Sequence, residues 1–200
     1  LFAGGSGTQE DPYRIDSAEA LDGVRQYPKA HYLQIRDIDL SGWGSWDPIT
    51  NFRGSYDGGG YTIANLSISA IPGREDGMNF GLFGFGLDGA SFRNITLTNA
   101  SIVVDGTYVD FYGLMLQGYD DPVRVGGICA ETGHFENCSV DGSIRVLECA
   151  AVCVGGIVGD GAYDLLRCTN SASIYASSTK MSNMYGFSPA YCGGITGWNY

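Results

Sequence analysis

The chain has 200 residues, with 22 Asp and Glu against 11 Lys and Arg and a formal net charge of −11. That balance argues against a nucleic-acid surface, which needs a basic stripe, and against an anionic membrane surface; no apolar run approaches the ~18 residues of a membrane-spanning helix. Thirty-one glycines, 13 Tyr and 9 Phe, with lysine confined to Lys29 and Lys180, suit a secreted or extracellular β-protein of one domain, 1–200. A start at Leu1 without Met fits a processed mature chain or a trimmed fragment.

Residues 1–30 read as an N-terminal cap: a loop, a short strand, then a helix near 16–27. Asp16 and Glu19 have capping-box spacing, Ala18, Leu21 and Val24 mark an apolar face, and Tyr27-Pro28 ends the helix. It is the chain's one good helix signal, and a lone amphipathic helix ahead of a stack of strands is expected to cover its first edge.

From residue 31 the hydrophobic period is two, through Ile38 and Leu40 and then a strand–turn–strand at Phe52–Ile63 around Asp57-Gly58-Gly59-Gly60. Gly-Gly-Ile recurs at Gly126, Gly155 and Gly193, and an Asn-centred hexapeptide recurs from Ile63, Phe92, Phe135 and Leu165, with steps of 29, 43 and 30 residues. Such self-similarity predicts stacked rungs. Aligned positions then predict columns: Ile63, Phe92, Phe135 and Leu165 facing inward; Leu66, Ile95, Cys138 and Cys168 beside them; and Asn65, Asn94 and Asn137 at a bend, bonded as an amide ladder. Two insertions break the pattern, near 105–123 with Tyr108, Phe111, Tyr112 and Tyr119, and near 177–191 with Tyr185 and Phe187. These aromatics are candidates for a binding face, or else fold back over the stack.

All six cysteines lie between 129 and 192, which in a secreted-looking chain suggests disulfides. Cys138 and Cys168 share a column position, which makes a rung-to-rung bridge feasible; Cys153 and Cys192 each stand near a Gly-Gly pair and are candidate neighbours; Cys129 and Cys149 remain. Free buried thiols are the alternative. No zinc spacing is present, His31 and His134 are isolated, and no metal or cofactor is expected. Asp37, Asp39, Asp47, Asp57, Asp120 and Asp121 are the carboxylates available for catalysis, but Asp37 and Asp39 share strand parity and Asp57 sits in a turn that favours Asp. His134 lies four residues before Cys138, which the column turns inward, so no nucleophile–base pair is expected there. Of four Asn-x-Ser/Thr sequons, those at Asn65, Asn94 and Asn137 coincide with the repeat, leaving Asn99 as the glycosylation candidate.

These residues resemble a known family. Gly4-Gly5-Ser6-Gly7-Thr8, Glu10–Ile15, Asp37–Ser41 and Phe52–Ile63 are similar to the opening of prokaryotic surface β-helix modules, and Gly81-Leu82-Phe83-Gly84 with the Gly-Gly-Ile repeats resembles their GLUG-type motifs. The resemblance implies an all-β, right-handed parallel β-helix with a short N-terminal capping α-helix. Such modules serve as stalks, adhesins and envelope components, and they bring no catalytic residues. The expectation is a non-catalytic subunit that self-associates through an open β-helix end, in a surface layer, sheath or filament. The alternative is an adhesin or stalk module binding a glycan or a protein, and after it a carbohydrate-active enzyme.

Overall fold

Short alternating segments bounded by Gly and Asn corners form the strands, and every strand pair between them is parallel. The computed structural model describes residues 1–73, 78–87, 89–116, 121–178 and 190–199. Tyr119, Tyr185 and Phe187 lie outside the described residues, as does most of the second insertion.

The chain begins with β1 (Tyr13–Ile15), α1 (Ala18–Asp22) and a 3-10 turn (Gly23–Gln26). The helix is shorter than the 16–27 expected, and its cap is Ser17 rather than Asp16: extended Ser17 accepts from Ala20 N at 3.2 Å. Then follow β2 (His31–Gln34), β3 (Ile38–Asp39), β4 (Ser55–Asp57), β5 (Thr62–Ala64), β6 (Ser67–Ala70) and β7 (Asn79–Phe80). Next come β8 (Ser91–Arg93), β9 (Thr96–Asp105), α2 (Phe111–Leu116), β10 (Val123–Gly126), β11 (Cys129–Glu136), β12 (Ser139–Cys149) and β13 (Val152–Gly155). The last are β14 (Val158–Leu166), β15 (Thr169–Asn170), β16 (Ser173–Ser178), β17 (Ala190–Gly193) and β18 (Thr196–Trp198).

Three sheets take these strands in turn. The first has the order β1-β2-β4-β8-β11-β14-β18, the second β3-β5-β9-β12-β15 with β6 and β16 alongside, and the third β7-β10-β13-β17. Between them lies a core of columns. Tyr32, Tyr56, Phe92 and Phe135 stack across the first sheet, each at most 1% exposed, with the Phe92 and Phe135 rings 5.2 Å apart. Ile38, Ile63, Leu97 and Val140 line the second sheet, and Phe80, Val125 and Val154 the third.

This register corrects the expected columns. Ile63 does not stand over Phe92; Tyr56 does, and Ile63 belongs to the second sheet. Leu66 likewise leaves the column of Ile95, Cys138 and Cys168. The chain turns two similar corners. Asn94, Asn137 and Arg167 occupy one, Asn65 and Asn99 the other, and all have φ between 52° and 61°. Left-handed backbone costs a branched or bulky residue ~1–2 kcal/mol but is tolerated by Asn, so both corners select the same residue. The amide ladder is therefore two ladders. Asn137 Nδ2 donates to Asn94 Oδ1 (2.8 Å), and Asn94 Nδ2 to Asp57 Oδ1 (2.8 Å). Asn99 Nδ2 donates to Asn65 Oδ1 (2.7 Å), and Asn65 Nδ2 to Asp39 Oδ1 (2.7 Å). Asn99 is thus as much a corner residue as the other three, with its amide nitrogen engaged.

The first insertion holds a second helix, α2, where Asp110 Oδ1 accepts from Gly113 N at 2.9 Å. Its aromatics divide. Phe111 is buried against the core at 8% exposure, which removes it from the expected binding face, whereas Tyr108 is 98% and Tyr112 50% exposed. No described helix is long and apolar enough to cross a membrane.

Candidate functional site

A groove of about 360 Å³ opens on the outer face of the first sheet, over β2, β4 and β8. Because in-register parallel strands place like positions above one another, two outward columns run beneath it. One is His31, Ser55, Ser91, His134 and Asp164; the other is Leu33, Asp57, Arg93, Glu136 and Leu166. His31 Nδ1 lies 2.7 Å from Ser55 Oγ, and Arg93 Nε lies 2.9 Å from Asp57 Oδ2. Arg53, on the groove wall, has no ion partner among the described residues.

The first column contains the residue types of a serine hydrolase, so its connectivity matters. His134 Nδ1 holds Asp164 Oδ2 at 2.7 Å, but no hydrogen bond joins Ser91 to His134, and no carboxylate is bonded behind His31. Neither set forms the nucleophile–base–orienter chain that acyl transfer needs. The carboxylates singled out in the sequence are engaged elsewhere. Asp37 accepts from Thr62 N (2.8 Å), Asp47 from Arg25, and Asp57 from Gly59 N (2.9 Å), Asn94 and Arg93. Asp39 accepts from Asn65 and Ser41 N, which hold its carboxyl below the usual range. Asp121 lies 3.7 Å from Arg124, and Asp120 is outside the described residues.

A second polar cluster escaped the sequence reading. At each Gly-Gly turn the chain folds back so tightly that a Cβ on Gly126 would meet Cys129 O at 2.0 Å, and one on Gly155 would meet Val158 O at 2.1 Å. Beside this pinch stand Asn79, Arg124, Cys153 and Tyr191 on the third sheet, with Glu131, Asp160 and Trp198 on the first. Arg124 Nε reaches Asp160 Oδ2 at 3.1 Å and Glu131 Oε2 at 3.6 Å. Burial pushes the Glu131 carboxyl up, and Arg124 opposes it; the Arg124 guanidinium is held charged by Glu131 and Asp160 against its own burial. Asp160 is 4% exposed, and its Oδ1 has no hydrogen-bond partner. The signal was present in the spacing: Arg124, Cys153 and Tyr191 lie two residues before the first Gly of each pair, and Glu131, Asp160 and Trp198 five after it.

The cysteines also sort by register. All six are thiols. Cys138 and Cys168 stand on adjacent layers, in the shared column position that the spacing predicts. Cys153 pairs in register with Tyr191 and Val154 with Cys192, so Cys153 and Cys192 are one residue out of step and point to opposite faces, which excludes the expected neighbourhood. Burial raises the thiols of Cys129 and Cys149 to about 12 and that of Cys153 to about 11. Among the described residues, no group of three or more His, Cys, Asp or Glu is placed to hold a metal ion.

No family model matches the chain. It is 35% identical over 153 residues to the "Putative Gly-rich membrane protein" of Evansella cellulosilytica, which covers 70% of this chain and 16% of that protein. It is 34% identical over 109 residues to "Halomucin" of Haloquadratum walsbyi, covering 49% of this chain and 1% of that protein. The chain therefore spans a small fraction of the length of the relatives it matches. Among solved structures, a "putative immunoglobulin A1 protease" from Bacteroides ovatus superposes with a TM-score of 0.64 over 98% of this chain and 60% of its own, at 19% identity, a likeness of fold alone.

Proposed function

We propose that this chain is a non-catalytic structural module of a cell-surface protein, a right-handed parallel β-helix of the GLUG-motif type that is closed at its N-terminal end and accepts a further β-layer at its C-terminal rim. One observation carries the reading. Along column after column the burial fails at the last described member: Phe135 is 1% exposed but Leu165 only half-buried, Ile157 is buried but Ile195 half-buried, and Val154 is buried but Cys192 exposed. An apolar rim that is only half-buried is a surface for more β-structure. The surface location is supported by the names of the relatives, a membrane protein and a mucin.

A second copy is the occupant we propose. Since the other end is closed, two copies would meet rim to rim about a two-fold axis, with antiparallel pairing across the joint. A layer, sheath or filament would need a second contact surface as well. Light scattering of the 200-residue chain tests this: a concentration-dependent dimer that Tyr191→Lys with Ile195→Lys abolishes is expected, and a monomer at high concentration defeats it.

The groove favours a second reading, as a site for an acidic glycan. In a chain of net charge −11 it is lined by Arg53 and by Arg93, the latter paired with Asp57, and a guanidinium fork suits a carboxylate. Titration with a uronic-acid oligosaccharide, lost in Arg53→Ala and weakened by salt, would support it; no binding would end it.

A further inference from the structure

Cys138 and Cys168 sit immediately before Ser139 and Thr169, which are register partners, and Thr169 N donates to Cys138 O at 2.9 Å. Neighbouring parallel strands lie ~4.8 Å apart, inside the ~4.4–6.8 Å Cα window of a disulfide. Cys138 Sγ lies 3.4 Å from Glu136 O and Cys168 Sγ 3.5 Å from Leu166 O, equivalent positions on successive layers, and the two thiols are electrostatic neighbours. They differ in setting: Cys138 is 1% exposed, whereas Cys168 is half-buried and reachable. None of the other four cysteines has such a neighbour. Cys129 Sγ is turned to Glu131 O and Thr132 O, Cys149 pairs in register with Ser178, Cys153 faces Arg124 and Asp160, and Cys192 is out of step with Cys153.

We infer that Cys138 and Cys168 are a dithiol built to close into a disulfide between successive layers, with Cys168 attacking and Cys138 resolving. The oxidant is a small disulfide. The Cys168 thiolate attacks one of its sulfurs, a mixed disulfide forms at Cys168, and one thiolate leaves. Cys138 then attacks the Cys168 sulfur, its proton passes to the departing second thiolate, and the protein S–S bond forms. Two electrons move from the two cysteines to the oxidant, which ends as two thiols. The neighbouring Cys138 thiol favours the Cys168 thiolate and lowers that thiol, while its partial burial and the Glu136 carboxylate, itself paired with Arg167, oppose it. Cys138 is buried beneath Cys168, and its thiol is raised by that neighbour and by burial, so Cys138 resolves rather than initiates. The bridge would tie the corner before β15 to the layer below it, at the end of the stack where burial fails.

The test uses Cys192→Ser as parent, because Cys192 is exposed and would react on its own account. Oxidised glutathione is added to the folded protein, and products are read by intact mass and peptide mapping without reduction. The expected product has lost the mass of two hydrogens and joins the peptides of Cys138 and Cys168. In Cys138→Ala the reaction should stop at a glutathione adduct on Cys168, and in Cys168→Ala it should slow at least tenfold. The rate should rise at a lower pH than the ~8.5 of a free thiol. No oxidation of the folded parent, a bridge to any other cysteine, or equal rates in the two variants would overturn the assignment.

Discussion

The first and last described layers of the stack are built from the same kind of parallel strand and are covered differently. At the first, β1 has both its free backbone groups satisfied by the chain's own start: Ala3 N donates to Arg14 O at 2.9 Å, and Arg14 N to Gly4 O at 2.8 Å. The core mouth is plugged by Ala20, Leu21 and Val24, all fully buried. At the other, Tyr191 stacks on Trp198 with ring centroids 4.9 Å apart, yet Tyr191 is 37% exposed and the inward column beside it ends in an exposed Cys192. In a stack each layer is stabilised chiefly by its neighbours. Closing an end therefore takes two separate devices, a partner for the strand edge and an apolar plug for the core, and the first layer has both.

The largest effect is expected inside the lateral column, where the stack is closed on both sides. Arg124→Met leaves the buried Asp160 and the half-buried Glu131 without their cation, and stranding a buried charge costs about 3–5 kcal/mol. Chemical denaturation measures it, with Tyr191→Ala as the rim counterpart; losing an aromatic pair costs only ~0.5–1.5 kcal/mol. The pH dependence has a definite sign. Burial raises the folded-state Glu131 carboxyl, so its ionisation destabilises the fold as pH rises from its ordinary value through the raised one. Without Arg124 that value rises further, and the variant's deficit should shrink on acidification. A deficit that is constant across acidic pH would show that packing rather than charge was lost.

The next contrast sets plug against rim. Leu21→Ala should cost about 2–5 kcal/mol, as buried Leu→Ala changes do. Leu165→Ala, at a half-buried last-layer position, should cost under about 1 kcal/mol. Equal losses would mean that the rim is as well covered as the plug, and the proposed acceptor surface would fall. Hydrogen exchange gives the same comparison residue by residue, with the amides of β17 and β18 opening before those of β1 and β2.

The parallel layers, the N-terminal helix and the Cys138–Cys168 stack were legible in the sequence because period-two alternation and fixed spacings report backbone geometry directly. The second corner was not. Asn65 and Asn94 stand third in nearly the same hexapeptide since each must enter left-handed backbone and each donates to a carboxylate, so local chemistry matched where the sheets did not. The 29-residue step between them is a step between different sheets. The lateral column was hidden for another reason. Its members change type from layer to layer, Arg then Cys then Tyr, and a pattern of residue types cannot show a position kept by geometry alone.

The smallest effect is the most specific to the comparison. The corner ladder runs from Asp57 through Asn94 to Asn137, and at the next layer Arg167 takes the position with φ 55°. Arg167 pays the left-handed cost without supplying an amide to the ladder, although its guanidinium pairs with Glu136. Arg167→Asn should lower the backbone cost and add a hydrogen bond to Asn137, together worth ~1–2 kcal/mol at this exposed corner. Against that stands the loss of an exposed ion pair, worth ~0–1 kcal/mol. The net gain expected is ~0.5–1 kcal/mol, read as a higher urea midpoint at unchanged slope. Asn94→Ala in the closed interior should move the other way by ~1–3 kcal/mol, since it removes a hydrogen bond to a charged partner and leaves Ala in left-handed backbone. A loss on Arg167→Asn would mean that the ion pair with Glu136, and not the ladder, fixes the last corner. The rim would then be held by surface charge, and its stability should fall as salt is added.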